Sequence, residues 1–181
     1  MKKLIILDID ETLVYASGTK IGRTPDFMTP LYHVYKRPYL HEFLDYCFAH
    51  FDVAIWTTAG SDFAEMIYRE IISQHGELVF LWSYAKCTVR FNPELQDTTL
   101  IKNLKKVKKL GYPLEHVIMV DDTPAKLQLN YGNQVCVSEF LGDKSDDEFK
   151  HLIPFLDYLS KADNIRRIEK RNWRRWFQVD H

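Results

Sequence analysis

The sequence predicts an α/β protein built on a doubly wound parallel sheet, and two observations carry this prediction. Short, fully apolar runs recur along the chain, and such runs are typical of strands buried on both faces. The runs are Leu4-Ile5-Ile6-Leu7, Val53-Ala54-Ile55-Trp56 and Val117-Ile118-Met119-Val120. Gln134-Val135-Cys136-Val137 is a candidate fourth strand. Amphipathic helix patterns separate these runs, and strands that alternate with helices form parallel sheets.

Four stretches have the spacing or the terminal signals of helices. Residues 38–49 begin with a proline in the first turn, and a second helix runs from Ser61 or Asp62 to near Gly76. A lysine-rich helix is predicted over 98–110, and a last long helix is predicted to open with the capping box Ser145-x-x-Glu148.

Residues 15–36 and 77–97 do not fit the alternation, and both are predicted to be small β insertions near the active edge of the sheet. Each is too short for a separate lid domain. We therefore expect a single domain over residues 1–181 without a large cap.

Composition narrows the class of protein and its surroundings. The chain has 181 residues and a formal net charge of −1, so no general attraction to nucleic acid or to a membrane is expected. No run reaches the roughly 18 apolar residues of a membrane span. Cys47, Cys87 and Cys136 lack metal-site spacing and are interpreted as buried free thiols. A reducing cytoplasm is expected, or a nucleus if the source is eukaryotic.

Polar side chains follow three of the predicted strands at the point where each strand ends. Asp8, Asp10 and Thr12 follow the first strand, Thr57 follows the second, and the third ends in Asp121-Asp122. Because the carboxyl ends of parallel strands meet at one crevice, these groups are expected to converge there. The pattern indicates a carboxylate nucleophile, Asp8, and an acid/base partner, Asp10, beside a metal ion.

A calcium-binding loop also begins with Asp-x-Asp, but it needs glycine at its sixth position and glutamate at its twelfth. Those positions are Leu13 and Thr19, so the calcium interpretation fails.

The strand-end residues resemble the four motifs of the haloacid dehalogenase superfamily of phosphotransferases, in order. Asp8-x-Asp10-x-Thr12 matches the first motif, Thr57 the second, Lys102 the third and Asp121-Asp122 the fourth. Lys36-Arg37-Pro38, Asp121-Asp122-Thr123-Pro124 and the ending from Leu152 to Ser160 resemble its branch of small C-terminal-domain phosphatases, also called NLI-interacting-factor-like. The resemblance runs from about residue 4 to about residue 163 and implies the same fold.

The resemblance also implies a mechanism and a cofactor. That family removes phosphate from phosphoserine and phosphothreonine with Mg²⁺ and an aspartyl-phosphate intermediate. Asp8 would be the nucleophile and Asp10 the acid/base, while Thr57 and Lys102 would bind phosphoryl oxygens. Mg²⁺ would be held by Asp8, the backbone carbonyl of Asp10 and Asp122. Asp121 would lie beside it, and which of the two adjacent acids contacts the metal is left open.

Other residues are candidates for substrate binding, each with a plainer alternative. The set comprises Thr12, Thr58, Arg37 and Arg90, with Lys86 as a further cation in the second insertion. Thr58 could act in place of Thr57, and Arg37 could be a surface charge beside a helix start. Lys102 could belong with the other lysines of its predicted helix on a solvated face.

Residues 164–181 form a basic, aromatic helix or tail, which could bind an acidic partner or nucleic acid. Because the whole chain is near neutral, the preferred interpretation is a terminal helix packed on the domain. Ile165, Ile168 and Trp176 would then face inward.

Three functions compete at this stage. The leading one is a metal-dependent phosphatase acting on protein phosphoserine or phosphothreonine, so a phosphorylated protein or peptide is the expected partner. The second is a phosphatase of a small metabolite or of a nucleic-acid phosphate end, and the third is a non-catalytic phosphopeptide-binding scaffold. No membrane or nucleic-acid partner is expected, and the sequence leaves the oligomeric state open.

Overall fold

The structure, a computed structural model, describes residues 2–93 and 96–177. In chain order its strands are β1 (Leu4–Leu7), β2 (Val14–Ser17), β3 (Phe27–Met28), β4 (His33–Lys36), β5 (Asp52–Trp56), β6 (Leu81–Trp82), β7 (Thr88–Asn92), β8 (Asp97–Ile101), β9 (Val117–Asp121) and β10 (Gln134–Cys136). Its α-helices are α1 (Leu40–His50), α2 (Ser61–Ile67), α3 (Lys105–Lys108) and α4 (Glu148–Lys161).

A five-stranded parallel sheet in the order β10-β9-β1-β5-β6 lies at the centre of the molecule. Leu7, the last residue of β1, is in register with Ile55 on one side and with Val120 on the other. The residues that follow these three strands are therefore brought to the same edge. This confirms the predicted α/β class and parallel sheet.

The sheet is covered on both faces, which explains why its strands are apolar apart from end residues such as Asp52, Asp121 and Gln134. Alternate strand residues such as Ile5 and Leu7 pack into a large core with the apolar sides of α1, α2 and α4. The intervening residues, such as Leu4 and Ile6, form a smaller core on the other face with residues around α3. On the large side Phe43 of α1 stacks on Phe149 of α4, with ring centroids 4.1 Å apart.

The first insertion, residues 15–36, contains a three-stranded antiparallel sheet in the order β2-β4-β3. The second differs from the prediction in its extent. Leu81–Trp82 is the edge strand β6 of the central sheet, and the inserted part is the antiparallel hairpin β7–β8. Within the predicted segment 77–97, Glu94 and Leu95 lie outside the described residues.

The predicted helix over 98–110 is wrong in its first half. Residues 98–101 belong to β8, where Thr99 and Ile101 pair with Arg90 and Thr88 of β7. β-Branched residues favour such a paired strand, and the helical spacing of the leucines did not outweigh it. Only Lys105–Lys108 is α-helical, so Lys102 lies between β8 and α3 rather than on a helix.

The predicted capping box is also wrong. Helix α4 begins at Glu148, and the Ser145 hydroxyl donates to Asp143 instead of capping the helix. The carboxylate of Glu148 is buried and accepts hydrogen bonds from the Ser138 backbone N–H, at 2.7 Å, and from Arg174. Glu148 therefore serves a tertiary contact that local sequence rules do not detect.

The C-terminal segment packs on the domain as two short 3₁₀ turns, Ile165–Arg167 and Trp173–Phe177, rather than as one helix. Ile165 faces inward as predicted, but the buried tryptophan is Trp173, whose Nε1–H donates to the Cys136 carbonyl at 2.8 Å. Trp176 is 47% exposed. Residues 178–181 of the predicted tail lie outside the described residues.

All three cysteines are free thiols, but only Cys47 is fully buried, while Cys87 and Cys136 are half-buried. Across residues 2–93 and 96–177, the structure contains no helix with the length and apolar character needed to cross a membrane.

Candidate active site

The candidate site forms where β1, β5 and β9 end, because their register places the next residues side by side. Asp8 follows β1 directly, and its backbone N–H donates to the Val120 carbonyl at 3.0 Å. Its side chain is fully buried, and Oδ1 accepts a hydrogen bond from the Ile9 N–H at 2.9 Å. Asp121 is equally buried at the end of β9, and Thr57 at the end of β5.

The chain turns sharply after Asp8, and this turn positions Asp10 and Thr12. Glu11 has a φ of 59°, in the left-handed region, and its N–H donates to the Val14 carbonyl at 2.8 Å. The returning chain aims the Asp10 carboxylate at β5, where Oδ2 accepts the Thr57 hydroxyl at 3.2 Å. The Thr12 hydroxyl points the other way and donates to Asp122 Oδ1 at 3.1 Å.

Two ammonium groups hold the buried carboxylates together. Lys102 Nζ lies 3.0 Å from Asp8 Oδ1 and 2.6 Å from Asp121 Oδ2, and all three side chains are buried. Lys126 Nζ lies 2.7 Å from Asp8 Oδ2 and 3.5 Å from Asp121 Oδ1. Each carboxylate is thus bridged from both sides, and this compensates the cost of burying like charges together.

This arrangement separates the proton affinities of neighbouring acids. Burial alone would raise the pKa of Asp8, but the adjacent charges of Lys102 and Lys126 outweigh it and leave the pKa lowered. Asp8 is therefore ionised and can act as a nucleophile. The pKa of Lys126 is raised, because the attraction of Asp8 and Asp121 exceeds the opposing effect of burial.

Asp10 shows the opposite behaviour. Burial, together with the negative charge of Asp8, raises the pKa of Asp10 to about 6, although the Thr57 hydroxyl bond opposes this rise. Burial and Asp8 likewise raise the pKa of Asp121 to about 6. Two nearby acids whose pKa values are pushed apart, one ionised and one able to carry a proton, are the pairing that acid/base catalysis needs.

The acids of the site fit a hard divalent cation. Among the described residues, Asp8, Asp121 and Asp122 each offer a carboxylate oxygen within 4.8 Å of the others. Asp122 is oriented by two hydroxyl donors, Thr12 at 3.1 Å and Thr123 at 2.8 Å. An oxygen-only ligand set suits Mg²⁺. The Asp10 side chain is outside this group, and the contact expected of Asp10 is through its backbone carbonyl.

The structure buries Arg37 among contacts within the protein. Its side chain is buried and makes two hydrogen bonds to Asp146, both at 2.8 Å. It also donates to the Thr12 carbonyl at 3.1 Å, and its guanidinium packs over the rings of Phe140 and Phe149. Arg37 is therefore not a surface charge: its donors join the loop after β1 to Asp146, which lies just before α4, and a contact with substrate stays a prediction.

The remaining predicted residues have different surroundings. Thr12 is fully buried, and its hydroxyl orients the Asp122 carboxylate. Thr58 is half-buried, and the hydroxyl bonded to Asp10 belongs to Thr57. Arg90 is exposed on the β7–β8 hairpin and donates to Gln128 at 2.7 Å. Lys86 is exposed over the Trp82 ring.

Lys126 is the site residue that the sequence analysis missed. It lies four positions after Asp122, in a 3₁₀ turn, Pro124–Leu127, that folds back over the end of β9. The Lys126 carbonyl accepts the Lys102 N–H at 2.8 Å, so the two lysines are held as a pair. Pro124, two positions after Asp122, indicates that a helical turn begins here, but no local signal singles out Lys126.

The chain is similar in sequence and in fold to known phosphatases. The family model described as NLI interacting factor-like phosphatase matches residues 3–166. A probable C-terminal domain small phosphatase of Dictyostelium discoideum is 28% identical over 180 residues, covering 94% of this chain and 55% of that protein. The CTD small phosphatase-like protein of Homo sapiens is 29% identical over 173 residues, covering 91% of this chain and 58% of that protein.

The chain thus spans little more than half the length of these curated relatives. The solved structure of the fission yeast RNA polymerase II CTD phosphatase Fcp1, bound to beryllium fluoride, has a TM-score of 0.58 and 17% identity. It covers 77% of this chain and 42% of that one, and the likeness shows the shared fold. By the match of its family model over most of its length, the chain belongs to the NLI interacting factor-like phosphatases.

Proposed function

We propose that this chain is a Mg²⁺-dependent phosphatase that hydrolyses phosphomonoesters through a phosphorylated Asp8. One observation carries the proposal. Two acids lie two positions apart, Asp8 buried and Asp10 half-buried, and their pKa values are shifted in opposite directions: that of Asp8 is lowered between two ammonium groups, and that of Asp10 is raised to about 6. A nucleophile next to an acid that can carry a proton is the pairing that this chemistry requires.

In the first step Asp8 attacks the phosphorus atom of the ester. A new bond forms between the Asp8 carboxylate and phosphorus, and the bond from phosphorus to the ester oxygen breaks. The leaving oxygen takes the proton of Asp10 and departs as the alcohol. Thr57, which donates to Asp10 at 3.2 Å, holds that carboxyl at the edge of the crevice.

In the second step water attacks phosphorus, and Asp10, now ionised, takes the proton of the water. The bond between Asp8 and phosphorus breaks, which releases inorganic phosphate and regenerates the Asp8 carboxylate. Asp10 is thereby reprotonated for the next cycle, so proton and electron pairs balance over the two steps.

Lys102 and the divalent cation supply the charge that phosphate chemistry requires. Lys102 Nζ lies 3.0 Å from the nucleophile, close enough for its ammonium to reach phosphoryl oxygens at Asp8. Asp8, Asp122 and the backbone carbonyl of Asp10 would hold Mg²⁺, while Asp121 pairs with Lys102. When bound, Mg²⁺ neutralises the transferring phosphoryl group and offsets the repulsion between the substrate and these acids.

For the substrate we propose phosphoserine or phosphothreonine in a protein. The two insertions support this choice, because both are small. One is the three-stranded sheet β2-β4-β3, and the other is the β7–β8 hairpin. Neither has the size of an independent lid that would exclude a polypeptide. The curated relatives are named as C-terminal-domain phosphatases, which agrees with a polypeptide substrate.

The test is a panel of phosphoserine and phosphothreonine peptides, sugar phosphates and 3′-phosphorylated oligonucleotides, with an aryl phosphate as positive control. Asp8→Asn should abolish turnover, while Asp163→Asn, which changes an exposed acid, should match the wild type. If one small ester or oligonucleotide is preferred by ~10²-fold in kcat/KM, about 2.7 kcal/mol, the protein-substrate proposal is wrong. If nothing in the panel is hydrolysed, the catalytic proposal is wrong as well.

A further inference from the structure

We propose that Lys126 is a built-in counter-ion, which a divalent cation must displace to enter the active site. The inference rests on the proposed function, since it concerns the same acids. It assigns a role to a lysine that the mechanism above does not use, and it predicts that this lysine weakens metal binding.

The first argument is position. Lys126 Nζ lies 2.7 Å from Asp8 Oδ2, 3.5 Å from Asp121 Oδ1 and 3.7 Å from Asp122 Oδ1. These are the three residues whose carboxylate oxygens lie within 4.8 Å of one another. An ammonium so close to Asp8 and Asp122 occupies space that a cation held by these two carboxylates would need. The two cations therefore exclude each other on steric and on electrostatic grounds.

The second argument is the division of labour between the two lysines. Lys102 binds Oδ1 of Asp8 and Oδ2 of Asp121, whereas Lys126 faces the other oxygen of each. A cation taking the place of the Lys126 ammonium would leave the Lys102 contacts intact. The acids would thus retain a positive partner on both sides throughout the exchange.

The third argument is access. The Lys102 side chain is completely buried, but the Lys126 side chain is 16% exposed. Lys126 is also carried by the short turn Pro124–Leu127, and its four-carbon stem can turn outward without moving the backbone. Of these two lysines, Lys126 is the one that can leave for solvent or for a phosphoryl oxygen when a cation arrives.

The test is calorimetric titration of Mg²⁺ into chelator-stripped protein. Lys126→Met removes the competing charge and keeps most of the stem, while Lys108→Met, an exposed lysine of α3, is the matched control. We expect Lys126→Met to lower the Kd for Mg²⁺ at least ~10-fold, or about 1.4 kcal/mol, and Lys108→Met to leave it unchanged. An equal or higher Kd in Lys126→Met would overturn the inference.

Thermal unfolding provides a second measurement that does not depend on activity. In chelator, Lys126→Met should have a lower Tm than the wild type, because its three acids lose a counter-ion. Saturating Mg²⁺ should then raise the Tm of the variant more than that of the wild type. Should the variant unfold without metal, Lys126→Gln, which is uncharged but keeps a hydrogen-bond donor, is to be titrated in its place.

The outcomes separate this inference from the proposed function. If the wild type and the variant bind Mg²⁺ with the same Kd, the counter-ion role is wrong and the metal-dependent mechanism stands. If neither binds Mg²⁺ at millimolar concentration, both the counter-ion role and the metal dependence are wrong.

Discussion

Replacement of Lys102 by methionine tests how the site tolerates its buried acids. The variant keeps the length of the side chain but removes an ammonium that lies 2.6 Å from Asp121 and 3.0 Å from Asp8. Breaking a buried ion pair by removing one partner typically costs about 3–5 kcal/mol. The site can avoid part of this cost by protonating Asp121, whose pKa is already raised to about 6.

Because protonation of Asp121 depends on pH, the loss of stability in Lys102→Met also depends on pH. At pH 7, protonating a group of pKa about 6 costs about 1.4 kcal/mol, and near pH 5 it costs almost nothing. The folded pKa of Asp121 lies above its ordinary value of 3.8, so the native state binds more protons than the unfolded state. The contribution of Asp121 to stability therefore falls as the pH rises from 3.8 to about 6. Loss of Lys102 raises the pKa further and extends the fall to higher pH.

The assay is urea unfolding followed by tryptophan fluorescence, with chelator present, at pH 5 and at pH 8. Relative to the wild type, Lys102→Met should lose about 3 kcal/mol or more of unfolding free energy at pH 8 and clearly less at pH 5. Lys108→Met, an exposed lysine of α3, should stay within about 0.5 kcal/mol at both values. A loss for Lys102→Met that is below 0.5 kcal/mol, or equal at the two pH values, would refute this reasoning.

Further predictions concern catalysis and the loop clamp. The value of kcat/KM for a phosphoserine peptide should be highest near or below pH 6 and should fall about tenfold per pH unit above it. The reason is that Asp10, with a pKa of about 6, must carry a proton. A profile that is flat from pH 5 to pH 8 would argue against that role. Asp10→Asn should slow phosphorylation of Asp8 by a phosphoserine peptide ~10²–10⁴-fold. The loss should be smaller with an aryl phosphate, whose leaving group needs no proton. Equal losses for the two substrates, measured by burst kinetics, would contradict this. Chelation should abolish turnover and added Mg²⁺ should restore it, so full activity in excess chelator would exclude a metal requirement. Arg37→Met should lower the unfolding free energy by about 3–5 kcal/mol, since it removes the ion-pair partner of Asp146. Arg90→Met, the control, should change it by less than about 0.5 kcal/mol. A higher KM in Arg37→Met without loss of stability would indicate that Arg37 binds substrate.

The parts of the site that the sequence predicted correctly in position are those fixed by local chain geometry. Asp8, Thr57 and Asp121 directly follow apolar strands, and parallel pairing necessarily brings such positions to one edge. Composition and spacing alone were enough for the parallel sheet. Lys102 was identified from the order of motifs, yet its predicted helix was wrong, because pairing with β7 decides the structure of residues 98–101.

The contacts that the sequence could not predict join residues far apart in the chain. Lys126 binds an acid 118 positions away, and nothing local distinguishes it from the other lysines. Arg37 was expected at the surface, but Phe140, Phe149 and Asp146 bury it from distant segments. The carboxylate of Glu148 similarly binds Ser138 instead of closing a capping box. Such roles depend on tertiary packing, which overrides local signals.

The central claim, that Asp8 carries the phosphoryl group during turnover, can be tested directly by acid quench. The enzyme is mixed with a phosphoserine peptide and Mg²⁺, denatured in acid within the first turnover, digested and mapped by mass spectrometry. The account predicts a phosphoryl group on the peptide that contains Asp8, bound as an acid-stable and hydroxylamine-labile acyl phosphate, and none in Asp8→Asn. A phosphoryl group on another residue, or turnover by Asp8→Asn at the wild-type rate, would contradict it.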